Sequence, residues 1–340
     1  MKNILLLLLF CVLISCKNEK SSNTYSYNLK ASEIIKSFVL DSDVKYNAFY
    51  LYTFSDDKGK EYLTFLNYRT NQILFYDLET TDFLFKLNLN SEGPHGVVQP
   101  TGLYVKDLNH IYVSSYVYSG LMRVDTTCHI IQKIPYGITS KGYNVLPSYT
   151  PSSHPYIAPV IIDKKIYITQ NAIDRFHPIV DTPLSVVIDT VQKSCEDLPL
   201  TYGILTEKEL AIKDPRFSRV FNGKEFIYSF YVSEDIVVTS VDHSEVKKIS
   251  VKSKYLDSPI VKQEVSERGP QLNLELARYG DLIYDPYREV YYRFVYPKTT
   301  LEDNIRWWGK SVYGRKKFSV IILNKDFQII GETLFPESIY

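Results

Sequence analysis

The segment Glu92-Gly93-Pro94-His95-Gly96 carries an acid and a base within one short stretch of sequence. Glu92 and His95 are residue types that bind polar ligands or exchange protons. The Gly-Pro step and the second glycine also favour a rigid turn. Because Glu267-Arg268-Gly269-Pro270 also places a Gly-Pro step shortly after a glutamate, we interpret the segment first as a turn between strands. A binding role for Glu92 and His95 is the alternative.

A second candidate is Arg306-Trp307-Trp308, in a long polar insertion. Adjacent strand residues point to opposite faces, so the two tryptophans cannot both enter one sheet face. Tryptophan beside arginine is typical of binding hot spots and of surfaces that stack on sugars. We therefore take Arg306, Trp307 and Trp308 as candidate binding residues, and the alternative is that they cover an edge of the fold.

Known catalytic and metal-binding patterns are missing from the sequence. There is no His-x-x-x-His pair, no Cys-x-x-Cys pair, no Gly-x-Ser-x-Gly elbow and no glycine-rich nucleotide loop. We therefore assign no catalytic residue, no metal ligand and no cofactor. Nothing in the spacing of Cys128 and Cys195 requires a disulfide, so we predict two unpaired thiols.

The N-terminus carries the clearest covalent chemistry. Lys2 precedes an apolar run, Ile4 to Ile14, which is too short to span a bilayer comfortably and is typical of a secretory signal. Leu13-Ile14-Ser15-Cys16 resembles the bacterial lipobox, whose cysteine receives lipid after cleavage. We predict a signal peptide over 1–15 and lipidation of Cys16. The alternative is an ordinary signal peptide that ends near a chance cysteine.

After Cys16, residues 16–24 are polar and predict a flexible tether. Lys17 stands where an aspartate commonly retains lipoproteins at an inner membrane. We therefore expect an outer-membrane location in the cell envelope, on either the periplasmic or the surface side.

Composition limits both the fold class and the partners. The chain is 45% apolar and 23% charged, which excludes wholesale disorder. Its formal net charge of zero argues against a nucleic-acid partner. The 29 tyrosines and 17 phenylalanines favour β-structure.

A repeated pattern then predicts the architecture. An apolar strand ends in Asp or Asn, a turn follows, and a second strand leaves the turn. The pattern occurs at Ile73–Asp77, Leu121–Asp125, Ser185–Asp189 and Ser319–Asn324. With the strands that precede each copy, about four antiparallel strands recur every ~50 residues, which is typical of a β-propeller.

We therefore expect an all-β fold, a β-propeller that fills 25–340 as a single domain. Five units are clear, over 47–89, 101–136, 156–200, 226–251 and 282–334. The fourth unit is short and is expected to lack a strand. A sixth unit would be partial or missing, and Ser37–Leu40 could contribute a strand to the last blade. One short helix is expected near 272–278.

Tyrosine and arginine are concentrated around 284–294. Strand alternation would send Tyr291 and Arg293 to one face and Tyr292 and Phe294 to the other. We interpret this cluster as packing between blades, with arginine stacked on tyrosine.

The segments 61–67, 92–97 and 279–294 resemble an uncharacterised family of Bacteroidetes lipoproteins with a domain of unknown function of the 4221 type. The resemblance covers nearly the whole chain after the signal peptide. It implies a six-bladed, propeller-like fold and assigns no catalytic residue.

Two functions are compatible with these patterns. The first is a lipid-anchored, non-catalytic propeller that binds a glycan or a protein partner through loops on one face, since such loops carry function on a rigid scaffold. The alternative is a hydrolase or lyase with converging carboxylates at the central channel. We favour the binding protein.

Lipidation of Cys16 is directly testable. Labelling cells with a palmitate analogue should mark the wild-type protein and should not mark Cys16→Ala, because the mutant lacks the acceptor thiol. A Cys128→Ala variant serves as the matched control and should keep the label. Persistent label on Cys16→Ala would exclude this anchor.

Overall fold

Twenty β-strands make up nearly all the regular secondary structure that is described. The structure, a computed structural model, describes residues 26–40, 42, 44, 51–67, 69–115, 117–139, 141–142, 158–170, 178–211, 215–256, 277–298 and 317–336. The strands form five four-stranded antiparallel sheets, each paired in chain order. These sheets are the blades of a β-propeller, which confirms the predicted fold class.

The strand bounds are as follows. Blade 1 contains β1 (Tyr52–Ser55), β2 (Glu61–Asn67), β3 (Gln72–Asp77) and β4 (Phe83–Asn88). Blade 2 contains β5 (Pro100–Asp107), β6 (His110–Ser115), β7 (Gly120–Val124) and β8 (Ile130–Pro135). Blade 3 contains β9 (Val160–Ile162), β10 (Lys165–Thr169), β11 (Ser185–Asp189) and β12 (Ser194–Asp197). Blade 4 contains β13 (Phe217–Phe221), β14 (Phe226–Phe230), β15 (Asp235–Thr239) and β16 (Val246–Ser250). Blade 5 contains β17 (Arg278–Asp285), β18 (Val290–Tyr296), β19 (Phe318–Leu323) and β20 (Ile329–Phe335).

Helical structure is sparse in the described part of the chain. One α-helix, α1 (Glu207–Leu210), begins after Thr206, whose hydroxyl accepts the Glu209 N–H in a capping box. Two 3-10 turns lie at Ile179–Asp181 and Tyr202–Ile204. No described helix has the length and hydropathy needed to cross a membrane.

Apolar side chains fill the interface between each blade and the next. The middle strands are buried on both faces, because each sheet is covered by a neighbour on either side. The four successive interfaces, from blades 1 and 2 to blades 4 and 5, each hold one core cluster. Representative members are Phe75, Leu121, Phe226 and Ile236.

An N-terminal strap (residues 26–40) runs between the last blade and the first. At blade 5, the Ser26 N–H donates to Ile330 O at 3.1 Å and Tyr27 forms a parallel bridge with Gly331. A Cβ atom on Gly331 would lie 2.3 Å from Tyr27 O, so this approach requires glycine. At blade 1, Phe38 packs edge-on against Tyr76 at 5.7 Å. The strap therefore contacts both partners of the closing junction.

Several expectations need correction. The described strands form five blades, not the six implied by the resemblance. Blade 4 is complete, so the expected missing strand is wrong, and its first strand is β13. The leading segment joins blade 5 through Ser26 and Tyr27 rather than through Ser37–Leu40. Of the helix expected at 272–278, residues 272–276 lie outside the described residues, and Arg278 begins a strand.

Other predictions are confirmed. Burial alternates along β18, with Tyr291 and Arg293 on the buried face and Tyr292 and Phe294 only partly buried. Arg293 lies between blades, as interpreted, although the ring under its guanidinium is Tyr279. Cys128 and Cys195 are free thiols.

The Arg293 guanidinium joins blade 5 to blade 4. Its side chain is fully buried, and its Cζ lies 3.9 Å from the centroid of the Tyr279 ring. Nε donates to Ser229 Oγ at 3.0 Å. The terminal nitrogens donate to five carbonyl oxygens of blade 4 and its flanking turns, those of Phe230, Ser233, Glu234, Asp235 and Val251. Burial lowers the pKa of Arg293 to about 10, which still leaves it charged at neutral pH.

Replacing Arg293 with alanine should destabilise the protein strongly. The change leaves three buried and two partly buried carbonyl oxygens without this donor, a loss on the order of 4 kcal/mol in the free energy of unfolding. Urea denaturation followed by tyrosine fluorescence measures the loss. Arg288→Ala is the matched control, since Arg288 is exposed in a turn and pairs with Asp285; its midpoint should stay near that of the wild type. Equal midpoints for the two variants would contradict the assigned role of Arg293.

Candidate functional site

The structure describes two of the six predicted site residues. Cys16, Arg306, Trp307 and Trp308 lie outside the described residues. Glu92 and His95 lie in the connection from β4 to β5.

That connection is built as a tight turn. Gly93 has φ +84°, and the Gly96 N–H donates to Gly93 O at 3.0 Å. A Cβ atom on Gly96 would lie 2.8 Å from the Glu92 carbonyl carbon. The His95 ring packs edge-on against His129 at 4.8 Å, while its Nδ1 is buried without a hydrogen-bond partner among the described residues. Glu92 is exposed, so the structure does not join it to His95 Nδ1 as an acid–base pair.

The two ends of the blades differ in construction. At one end, which we call the turn end, short connections join the first strand of each blade to the second and the third strand to the fourth. The ten connections there are two to six residues long. Side-chain oxygens accept backbone N–H groups in nine of them. The accepting residues are Asp56, Asp77, Asp107, Asp125, Asp189, Asn222, Ser240, Asp285 and Asn324.

The carboxylates of the turn end serve the turns themselves. The Thr80 N–H and the Lys60 ammonium lower the pKa of Asp77 to about 2. Backbone N–H donors likewise contribute to the lowered pKa of Asp189. These groups are therefore ionised and already bound at neutral pH.

The opposite end, which we call the insertion end, carries the long connections. Six of its nine connections between strands span 11 to 27 residues. The segment that contains Arg306, Trp307 and Trp308 leaves the described structure here, after β18, and returns at β19. On a rigid scaffold of this kind, binding residues are expected on the long loops, so polar groups at this end are candidates for a functional site.

Five side chains meet at the insertion end of blades 4 and 5, and we call them the Arg–Tyr cluster: Arg216, Tyr231, Arg278, Asp281 and Tyr296. Their positions follow from the strand ends, because Arg216 directly precedes β13, Tyr231 follows β14, Arg278 begins β17 and Tyr296 ends β18. Two backbone bonds fix the strand ends: the Tyr231 N–H donates to Arg216 O at 2.9 Å, and the Tyr279 N–H donates to Tyr231 O at 3.0 Å.

A bulge and a glycine shape the cluster. The register of β17 against β18 shifts between Tyr279 and Leu282, which re-aims Asp281. A Cβ atom on Gly280 would lie 2.7 Å from the Tyr296 ring, so glycine lets this ring lie close to the strand. These features were missed from sequence, although a charged residue beside glycine in an apolar strand is a usable signal of a bulge.

The Arg278 guanidinium lies against two aromatic rings. Its Cζ is 5.6 Å from the Tyr231 centroid and 5.0 Å from the Tyr296 centroid. The Arg216 Cζ lies 5.8 Å from the Tyr231 centroid. The Tyr231 hydroxyl donates to Asp281 Oδ1. Burial and the nearby Asp281 carboxylate both raise the pKa of Tyr231, so this donor stays protonated.

The cluster is accessible to solvent. Arg216 is exposed, while Tyr231, Arg278, Asp281 and Tyr296 are half-buried. Nε of Arg278 is nevertheless buried and has no hydrogen-bond acceptor among the described residues. The arrangement offers cationic donors, one carboxylate acceptor and two aromatic rings, which suits binding of a polar ligand.

A second polar group, between blades 3 and 4, has the composition of a catalytic centre. Arg219 Nη1 donates to Ser185 Oγ at 2.8 Å, Ser185 Oγ lies 2.7 Å from the Tyr228 hydroxyl, and that hydroxyl lies 2.5 Å from His243 Nε2. His243 Nδ1 lies 3.1 Å from Val241 O, which can only accept, so Nδ1 carries the proton.

This serine, tyrosine, histidine and arginine are all buried. Their hydrogen bonds run in one direction, from the guanidinium to the Val241 carbonyl. Arg219 Nη2 also donates to Ala158 O and Tyr167 O. The group therefore stabilises the interface of blades 3 and 4. Within the described residues, no group of three or more His, Cys, Asp or Glu side chains is arranged to hold a metal ion.

Comparison with known proteins places the chain in a family. Residues 26–334 match the model of a domain of unknown function, DUF4221. The chain belongs to this family. A crystal structure of a DUF4221 member from Bacteroides vulgatus is 26% identical, covers 88% of this chain and 84% of its own, and superposes with a TM-score of 0.73.

A more distant likeness is a putative exported protein from Bacteroides fragilis, with 10% identity, coverage of 88% of this chain and 74% of its own, and a TM-score of 0.49. A search of curated proteins gives no match. Membership in DUF4221 confirms the predicted family, while the five blades correct the blade count that the resemblance implied.

His243 predicts a pH dependence of stability. Burial, with a smaller contribution from Arg219, lowers its pKa from 6.5 to about 4 in the folded protein. The unfolded chain takes up the proton near pH 6.5, so stability is lost as the pH falls from about 6.5 to about 4, by roughly 3 kcal/mol for this group. Urea midpoints should therefore fall between pH 7 and pH 4.5, and His243→Gln should flatten the decrease. His129→Gln, which removes an exposed imidazole, should retain the wild-type slope. A slope unchanged in His243→Gln would assign the pH dependence to other groups.

Proposed function

We propose that this DUF4221 protein is a lipid-anchored binding protein of the cell envelope, which captures a glycan or a protein partner at the insertion end without catalysing a reaction. The anchor would be lipid on Cys16, and Lys17 supports an outer-membrane location. Residues 16–24 would serve as the tether, and 25–340 would act as one propeller domain.

The observation that carries the proposal is the difference between the two ends. Nine of the ten connections at the turn end are closed by their own Asp, Asn or Ser side chains. The insertion end has the long connections and the solvent-accessible Arg–Tyr cluster. A rigid ring with long loops at one end suits recognition of a ligand.

The channel arrangement expected of a hydrolase or lyase finds no support in the described residues. A catalytic pair of carboxylates would lie close together, with at least one pKa raised by the other. The described carboxyl groups with shifted pKa values have them lowered, and they lie in turns. We therefore propose binding, with Arg306, Trp307 and Trp308 on the contact surface.

Truncation of the two tryptophans tests this surface. The Trp307→Ala/Trp308→Ala double variant should lose about 30-fold in affinity for the glycan or protein captured by the wild type, since loss of a central aromatic contact costs about 2 kcal/mol. Capture is measured on an array of envelope glycans and by cross-linking on cells. Tyr287→Ala is the matched control, because Tyr287 is an 80% exposed aromatic residue at the turn end. Unchanged capture by the double variant would remove these tryptophans from the proposal.

A further inference from the structure

We infer that the N-terminal strap is a lipid-contact surface, on which Ile34, Ile35 and Val39 enter the boundary of the bilayer that holds the anchor. This inference rests on the proposed lipid anchor and extends it, because it adds a second contact between the protein and the membrane. The partner in this contact is phospholipid.

The first step concerns exposure. Ile35, Val39 and Ile34 are 85%, 84% and 78% exposed. Within the residues that the structure describes, they are three of the four most exposed large apolar side chains. Single exposed apolar residues are ordinary on a protein surface, whereas several within one short segment indicate a surface that makes contacts.

The second step concerns the way in which blade 1 holds this segment. Phe38 packs on Tyr76, and the Tyr76 hydroxyl donates to Val39 O at 3.0 Å. The Lys36 ammonium donates to Leu78 O. These contacts fix the segment on the ring while its three apolar side chains stay exposed, so the apolar surface is displayed on a backbone that is already bound.

The third step concerns the distance from the anchor. Cys16 is ten positions before Ser26, where the strap begins. A fully extended chain of that length spans roughly 35 Å at most. Lipid on Cys16 would therefore keep the start of the strap close to the membrane. Along the chain, the strap is also the described segment nearest to the anchor.

The size of the surface favours lipid over a second copy of the chain. Burial of the three side chains would remove roughly 300 Å² of apolar area from water, at about 100 Å² for each. A stable protein interface buries roughly 800 Å² on each partner, which is well above what these residues supply. A contact with lipid has no such minimum, because its contribution adds to that of the acyl chain in the same membrane.

Partition onto phosphatidylcholine vesicles tests the inference. The chain begins at Cys16 and carries Cys128→Ala and Cys195→Ala, so that Cys16 is its only thiol. That thiol is coupled chemically to a single chain of myristoyl length. One such chain gives only marginal, reversible membrane binding, so a second contact is measurable as a change in the partition coefficient.

The strap variant Ile34→Ser/Ile35→Ser/Val39→Ser should bind the vesicles about tenfold more weakly than the parent chain, since three apolar contacts are lost together. The single variant Ile35→Asp should also weaken binding several-fold, because a carboxylate resists transfer out of water. Circular dichroism checks that both variants are folded. Binding equal to that of the parent chain in both variants would overturn the inference.

A matched control replaces three aliphatic residues that are exposed elsewhere. Val117→Ser/Ile138→Ser/Val191→Ser changes side chains that are 68%, 65% and 62% exposed, and this variant should bind the vesicles like the parent chain. A loss in the control equal to that in the strap variant would overturn the inference, because binding would then depend on apolar residues in general.

Sedimentation of the chain without its acyl group separates lipid from a second copy. The parent chain should be monomeric. Self-association that the strap variant abolishes would assign the surface to a contact between copies and overturn the inference. Because the acyl chain is attached chemically, failure of the vesicle test leaves the proposed lipidation of Cys16 standing. Absence of that lipidation in cells would remove the proposed anchor without changing the vesicle result.

Discussion

Buried arginine side chains that donate to carbonyl oxygens hold consecutive blades together. Desolvation of a guanidinium is expensive, and a carboxylate partner is the usual compensation. Arg293 instead donates to five backbone carbonyl groups and one serine hydroxyl, all from the neighbouring blade and its turns. Arg219 bridges blades 4 and 3 in a similar way, with Ser185, Ala158 and Tyr167. Because each arginine donates to carbonyl oxygens of the preceding blade, the geometry of one blade fixes the next.

This arrangement also determines where variation is tolerated. The turn end depends on local hydrogen bonds within stretches of two to six residues, so its shape is set by the turn sequences. At the insertion end, packing between the blades fixes the positions of the strand ends. The connections between these ends can therefore differ in length without loss of core packing. The Arg–Tyr cluster lies at the insertion end, where backbone hydrogen bonds fix the strand ends and the side chains are accessible to solvent.

Local signals were readable from the sequence, and contacts between distant segments were not. The Asp and Asn turns were predicted because each turn is formed by its own side chain, as at Asp77 and Asn324. Strand β13 was missed because an arginine, Arg219, interrupts its apolar pattern. The burial of Arg219 depends on carbonyl oxygens from another blade. The expected helix failed at Arg278, which pairs with Tyr296 in a strand.

The Arg–Tyr cluster was missed for the same reason, since its members come from the ends of four strands and are separated by up to 80 residues.

The N-terminal strap has a mechanical consequence. It enters beside β20 and ends against blade 1, so a pulling force on the amino terminus would act first on the bonds of Ser26, Tyr27 and Leu29 to the outer strand of blade 5. A force applied there would load the junction of blades 5 and 1, where detachment of Phe38 would expose one side of the Tyr76 ring.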